Sequence, residues 1–164
     1  MRRSIMIALI ALLALVVAAP MAVAARQAPH QQPPVPVEGS QVLEEGAVFG
    51  RCDFPILYEL SGKAQLLTLP GGRFITTAPD QTATLTNLDT GQQEVLNITG
   101  AFHQTTLENG DVVTMATGRN LLGDPDAGFV LAIGDFSFVF DKNGKLIQSL
   151  EGEGQLIDVC TLLS

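Results

Sequence analysis

Apolar side chains recur at every second position along most of the chain after Ala47, and no stretch there keeps the spacing of an amphipathic helix for as many as about ten residues. Phe136, Phe138 and Phe140 illustrate the pattern, and residues 94–102 repeat it. Successive side chains of an extended strand point to opposite faces, so this period places one apolar face on each strand. The pattern predicts an all-β domain.

Turn signals separate these segments and indicate how neighbouring strands pair. Asn109-Gly110 and Asn143-Gly144 favour type I′ hairpins, and Asp89-Thr90-Gly91 favours a slightly longer one. The longest connection, residues 120–127, has no room for a crossover helix. We therefore predict an antiparallel meander closed into a small β-barrel, with a β-sandwich as the alternative, because both arrangements limit exposed strand edges.

The amino terminus has the features of a secretory signal peptide. Arg2 and Arg3 precede an apolar run over residues 5–17, and Ala22 and Ala24 match the small-residue pattern that signal peptidase reads. We predict a signal helix of bacterial type over residues 1–24 and a secreted or cell-envelope location. Cleavage after Ala24 would leave 140 of the 164 residues. An uncleaved segment would instead hold the protein in a membrane.

The composition changes after the signal segment. Residues 25–47 are rich in proline and glutamine and poor in large apolar side chains, which predicts a disordered spacer. Such a spacer acts either as a stalk or as an untethered leader. The rest of the chain, residues 48–164, has the length of one ordinary domain and forms the predicted antiparallel β domain.

Two cysteines lie at opposite ends of this domain. Cys52 is near its start and Cys160 is near its end. Because an exported chain folds in an oxidising compartment, we predict a disulfide between them, with two free thiols as the alternative. Closing a loop of about 110 residues would remove about 4 to 5 kcal/mol of unfolded-chain entropy in the simplest treatment.

The charge balance and the missing motifs exclude several functions. The chain carries 17 acidic and nine basic residues, a formal net charge of -8, so we predict no nucleic-acid partner. The sequence has no glycine-rich phosphate loop, Cys-x-x-Cys pair or His-x-x-x-His spacing, and we predict no cofactor and no metal. Asp124 and Asp126 leave calcium as a minor alternative, since a calcium site needs more oxygen ligands than they supply.

One motif suggests catalysis. Asp89-Thr90-Gly91 matches the tripeptide that holds the catalytic aspartate of pepsin-like and retroviral proteases, and residues 118–122 resemble a retroviral-protease segment. Only 27 residues separate Gly91 from Arg119, too few for the flap and strands of such an enzyme. We therefore predict a hairpin turn at Asp89 and no catalytic residue. A secreted aspartic-type hydrolase that uses Asp89 is the alternative function.

The predicted function is that of an exported, non-enzymatic protein, either associated with a cell-envelope component or binding a small apolar ligand. A barrel interior could hold such a ligand, and the alternative is that the same side chains fill the core. The predicted lining comprises Leu96, Ile98, Phe102, Phe129, Leu131, Phe136, Phe138 and Phe140.

Three segments carry a resemblance to known proteins. They are residues 118–122, residues 124–141 with Ile133-Gly134-Asp135-Phe136 inside them, and the closing Leu156-Ile157-Asp158-Val159-Cys160. These segments resemble short exported actinobacterial proteins of unknown function, over the range from Cys52 to Leu163. The resemblance implies a shared fold and an exported location, and it implies no activity, substrate or site.

Overall fold

The structure is a computed structural model that describes residues 33–46 and 52–164. The predicted signal helix lies outside the described residues, as does the first part of the predicted spacer. The described residues form nine strands and one short helix. They are β1 (Val35–Leu43), β2 (Ile56–Leu69), β3 (Arg73–Thr77), β4 (Thr82–Asn87), β5 (Gln93–Asn97), β6 (Gly100–Thr106), β7 (Val112–Asp124), β8 (Gly128–Phe140), β9 (Leu146–Asp158) and α1 (Val159–Leu162).

All strand pairs in the described part of the chain are antiparallel, so the all-β, antiparallel prediction is confirmed. The pairing order is β5-β4-β2-β3-β6-β7-β8-β9, and β1 pairs with β2 beside this path. β4 and β3 pair with opposite halves of β2, while β5 and β6 pair with β4 and β3 respectively. The chain therefore follows the predicted meander.

The prediction of a closed barrel is wrong, because the sheet remains open. Among the described strands, no pairing joins β9 to β1 or to β5, the strands at the other side of the sheet. The apolar faces are covered in another way: residues of β8 share one buried cluster with residues of β2 and β4, although these strands are several places apart in the pairing order. Burial of side chains, which drives folding, is therefore achieved without joining the sheet edges.

A row of aligned glycines crosses four strands of the sheet. Gly100, Gly118, Gly134 and Gly154 lie opposite one another in four neighbouring strands, and we call them the glycine row. Gly134 has a φ of +138°, and a Cβ added there would overlap the carbonyl oxygen of Glu153. A side chain is therefore incompatible with this backbone and with this close approach of two strands.

The ends of β7 and β8 beyond the glycine row form an inner layer. Gly128–Ala132 of β8 are all buried, and their side chains divide between two clusters. Leu131 packs in a cluster with Ile56 of β2 and Leu85 of β4, whereas Val130 packs in a second cluster with Phe136 of β8 itself. This strand end is therefore apolar on both faces, and the two clusters lie on either side of it.

The hairpins lie where the turn signals predicted them, but the prediction of type I′ turns is wrong. Gly110 and Gly144 have φ values of +89° and +80°, and Asp80 is the one described non-glycine residue with a positive φ. Gly110 N–H donates to the carbonyl of Leu107, and Leu107 N–H donates to that of Asp111. This is the three-residue hairpin loop, in which the glycine alone is left-handed and the asparagine before it is not.

The prediction of a disordered spacer is corrected over Val35–Leu43, because these residues form β1. They pair with β2 over their whole length, from Val35 opposite Ala64 to Leu43 opposite Ile56. Only Val37 and Leu43 are partly buried. Composition misled here because the neighbouring strand, and not a buried apolar face, holds β1 through backbone hydrogen bonds.

The predicted disulfide between Cys52 and Cys160 is confirmed. Its Cα atoms are 5.1 Å apart, and its residues are 108 positions apart in the chain. Cys52 is buried in the first cluster, and Cys160 belongs to α1, whose amino terminus is capped by the Asp158 side chain. The bond therefore attaches the start of the β2 region to the carboxyl end of the domain.

Candidate functional site

The eight residues predicted to line a ligand cavity do not surround one common space. Leu96, Ile98, Phe129 and Leu131 belong to the first buried cluster, and Phe102, Phe136 and Phe138 belong to the second. Phe140 stacks edge-on against Phe138, with ring centroids 5.7 Å apart. The inner layer lies between the two clusters, so seven of these side chains pack against neighbours on one or the other of its faces.

A small cavity lies beside the second cluster. Its volume is about 30 Å³, and Phe138, Phe140, Leu146 and Leu150 contribute to its lining. Pockets for small organic ligands have volumes of roughly 300–1,000 Å³. This cavity is therefore of the size of a water molecule and too small for an apolar ligand.

A buried carboxylate, Asp124, holds the tip of the inner layer in place. Its side chain is 5% exposed. Oδ1 accepts hydrogen bonds from the backbone N–H groups of Asp126 and Ala127, at 2.8 and 2.9 Å. Oδ2 accepts from the backbone N–H of Leu150 in β9, at 2.8 Å. Asp124 thus closes its own turn and also joins the β7–β8 hairpin to a distant strand.

These contacts bear on the calcium alternative. Asp126 accepts a hydrogen bond from the Ser149 hydroxyl, at 2.8 Å, so both aspartates serve as internal acceptors. Within residues 33–46 and 52–164, no group of three or more histidine, cysteine, aspartate or glutamate side chains is arranged to hold a metal ion. The structural role of Asp124 was not predicted from the sequence, because its contact with Leu150 spans 26 residues.

We expect Asp124→Ala to destabilise the domain by about 2 to 4 kcal/mol, because it leaves buried N–H groups without an acceptor. Asp126→Ala is the matched control, since Asp126 is exposed and loses one surface hydrogen bond. Chemical unfolding followed by circular dichroism measures both variants. Equal losses in the two variants would contradict this role for Asp124.

Asp89 lies exposed in the turn between β4 and β5. The cap of this turn comes from Asn87, whose Oδ1 accepts from the backbone N–H groups of Asp89 and Thr90, at 2.9 and 3.2 Å. The Nδ2 of buried Asn87 donates to the carbonyl of Leu163, at 2.9 Å. Asn87 therefore joins the hairpin to the carboxyl terminus, while the Asp89 side chain lies at the surface.

Asp141 holds the turn between β8 and β9. Its Oδ1 accepts from the backbone N–H groups of Asn143 and Lys145, at 2.8 and 2.9 Å. The hydrogen bond from the Lys145 backbone, followed by those from Asn143, lowers the pKa of the Asp141 carboxyl below its usual value. Asp141 therefore caps the predicted hairpin at Asn143-Gly144.

The surface feature with the clearest capacity for binding is the outer edge of β1. Within the described part of the chain, β1 pairs with β2 only, and seven of its nine residues are exposed. An unpaired strand edge presents a row of backbone donors and acceptors to another extended chain. Sequence reasoning missed this edge because it assigned the segment to the spacer.

An open groove runs along the same part of the sheet. Its volume is about 550 Å³, and its lining is Glu38, Gly39, Ser40, Glu59, Leu60, Ser61 and Thr84. The register places Glu38 opposite Ser61, and Ser40 opposite Glu59 and so beside Thr84. Two carboxylates and several hydroxyl groups therefore share one outward face next to the β1 edge.

Comparison of the whole chain with protein-family models, with curated proteins and with solved structures finds no match. No helix in the described ranges has the length and apolarity that crossing a bilayer would require.

Proposed function

We propose that this chain is an exported, non-enzymatic binding protein that engages a cell-envelope partner on the surface of its sheet. The observation that carries this proposal is the contrast between a filled interior and an open strand edge. The inner layer occupies the space between the two clusters, whereas the outer edge of β1, a strand of nine residues that pairs with β2 on its other side, has no partner within the described part of the chain.

Two further observations support export. The first is the sequence of the amino-terminal segment, with its arginines, apolar run and small residues before position 25. The second is the Cys52–Cys160 disulfide, since such bonds persist in oxidising compartments. The resemblance to exported actinobacterial proteins is in keeping with the same location.

The non-enzymatic part of the proposal is supported by the positions of the acidic side chains. Asp89 lies on a hairpin tip, and Asn87 supplies the hydrogen bonds that hold that tip. The buried Asp124 is engaged by backbone N–H groups of two elements. An aspartic hydrolase would instead need two carboxyl groups that share one proton around a water molecule.

The test measures binding and cleavage with the same purified proteins, wild type and Asp89→Asn. We expect both to bind washed envelopes of the source cells saturably, to cleave no unfolded protein substrate at about pH 4 to 5, and to differ in stability by less than about 1 kcal/mol. Reduced and denatured protein is the control for folded-state binding. Cleavage that disappears in Asp89→Asn, or an absence of saturable binding, would contradict the proposal.

A further inference from the structure

We infer that the β1 edge takes an extended segment of a partner protein whose basic side chains lie against Glu38 and Glu59. This inference rests on the proposed function and names the partner chemistry for that surface. It combines two features of one region: a strand edge with unpaired backbone groups and an acidic outward face beside it.

The edges of the sheet differ in how they are protected. β5 has only five residues, and short edges attract little pairing. β9 carries Glu151 and Glu153 and has an irregular register against β8, both of which discourage an added strand. β1 has nine residues and a regular register against β2 throughout, with Glu38 as its one charged residue.

The face beside β1 selects the side chains of the added strand. In a strand paired with β1, alternate side chains point to the face that carries Glu38 and Ser40. Adjacent strands are about 4.8 Å apart, so a lysine or arginine at such a position reaches the Glu38 carboxylate. A second basic residue two positions along the added strand, on the same face and beside Ser40, extends toward Glu59, which lies opposite Ser40 on β2.

No basic residue contributes to the lining of the groove described above. Lys63, the next outward residue on β2, lies 4.0 Å from Oδ2 of Asp80, and both side chains are largely exposed. Glu38 and Glu59 are thus available to a basic partner, whose attraction to them would weaken with added salt.

Overall charge favours a foreign partner over a second copy of the chain. All 17 acidic residues lie beyond Val37. Three of the nine basic residues, Arg2, Arg3 and Arg26, precede the described range, so the part of the chain that contains β1 is more acidic than the chain as a whole. Two copies that met along β1 would each present the same acidic face, which opposes their association. A basic segment is attracted by this charge at longer range and then ordered by the strand edge.

The experiment titrates the exported protein with an extended peptide as long as β1, made of alternating lysine and threonine, at low salt. We expect saturable binding, with the largest NMR shift changes in β1 and the facing part of β2. Two control peptides separate the contribution of charge from that of backbone pairing. One has glutamate in place of lysine, and the other has N-methylated backbone groups on the edge that would pair with β1. We expect neither control to bind.

The matched protein variants are Glu38→Gln with Glu59→Gln, and Glu108→Gln with Glu94→Gln as a control that removes two other carboxylates. The first pair should weaken binding of the lysine peptide by about tenfold or more, and the second should leave it nearly unchanged. Each variant's unfolding midpoint shows whether it is folded. Equal binding of the three peptides, or equal effects of the two variant pairs, would overturn the inference.

Failure of this inference is distinguishable from failure of the proposed function. If the lysine peptide does not bind while source-cell envelopes still do, the basic-segment inference is wrong and the binding function stands. If sedimentation shows a concentration-dependent dimer that the Glu38→Gln and Glu59→Gln pair strengthens, the occupant of β1 is a second copy, and the inference is likewise wrong.

Discussion

Removal of the Cys52–Cys160 disulfide by the double substitution Cys52→Ala and Cys160→Ala is expected to destabilise the domain by about 4 to 5 kcal/mol. The bond closes a loop of 108 residues, nearly the whole domain after β1, so its loss releases much unfolded-chain entropy. Cys52 is also buried in the first cluster, and its replacement by alanine removes packed atoms from that cluster.

Chemical unfolding of the oxidised protein, with and without a reducing agent, measures this effect. Reductant should lower the unfolding midpoint of the wild type and leave that of the double variant unchanged, because the variant has no disulfide to reduce. A wild type whose free energy of unfolding is the same in both conditions would show that the bond contributes nothing to stability.

Loss of the carboxyl-terminal contacts is the structural route by which we expect the reduced protein to unfold. α1 is held by the disulfide through Cys160 and by the side chain of Asn87, which donates to the carbonyl of Leu163. Gln92 adds a hydrogen bond to the carbonyl of Leu162, at 2.7 Å. Without the disulfide, these two hydrogen bonds and the burial of Val159 and Leu163 in the first cluster still hold α1, and a chain end that has lost its covalent attachment frays first.

Gly134→Ala is expected to destabilise the domain by about 4 kcal/mol or more, because the added Cβ meets backbone atoms in a conformation that only glycine tolerates. The φ of Gly134 is +138°, and the atoms that its Cβ would meet include the carbonyl oxygen of Glu153 and the Cα of Gly154. Both of these atoms belong to the backbone of β9, so they can move aside only if β9 separates from β8. β8 and β9 are strands of thirteen residues each, and the contact lies within both of them.

Gly144→Ala is the control, because it tests the cost of a left-handed backbone conformation without the close approach of a second strand. Gly144 has a φ of +80°, but a Cβ there would meet nothing within 4 Å. Its replacement should cost only about 1 kcal/mol, the penalty for a left-handed alanine. If Gly134→Ala yields no folded protein while Gly144→Ala folds, the expectation is met; equal unfolding midpoints would contradict the close approach of β8 and β9 at Gly134.

For part of the fold, the local sequence pattern was sufficient to predict where strands and turns lie. The turns at residues 108–110 and 142–144 lie between strands, as the Asn-Gly dipeptides predicted. Gly62, Gly134 and Gly152 have positive φ values, and each interrupts the alternation of apolar side chains in its segment. In the structure each strand continues through its glycine, because the neighbouring strand keeps pairing on both sides of it.

The candidate binding surface was less predictable than the fold. Glu38 and Glu59 are 21 positions apart in the chain, and they share a face only because β1 pairs with β2 in one register. Shifting that register by one residue would send the side chains of β1 to the opposite face. Nothing in the composition of residues 33–46 indicates which strand they join.

Sequence by itself determined the class of this protein: antiparallel strands, hairpin positions, an acidic surface and a pair of cysteines that could meet. These properties follow from side-chain period, glycine placement and charge, which act over a few residues or over the whole chain. Only the tertiary structure decided that β8 packs against β2 and β4, that Asp124 fastens the inner layer, and that the outer edge of β1 has no partner among the described strands. Each of these depends on contacts between distant residues, and packing of the whole chain selects among the many pairings that local preferences allow.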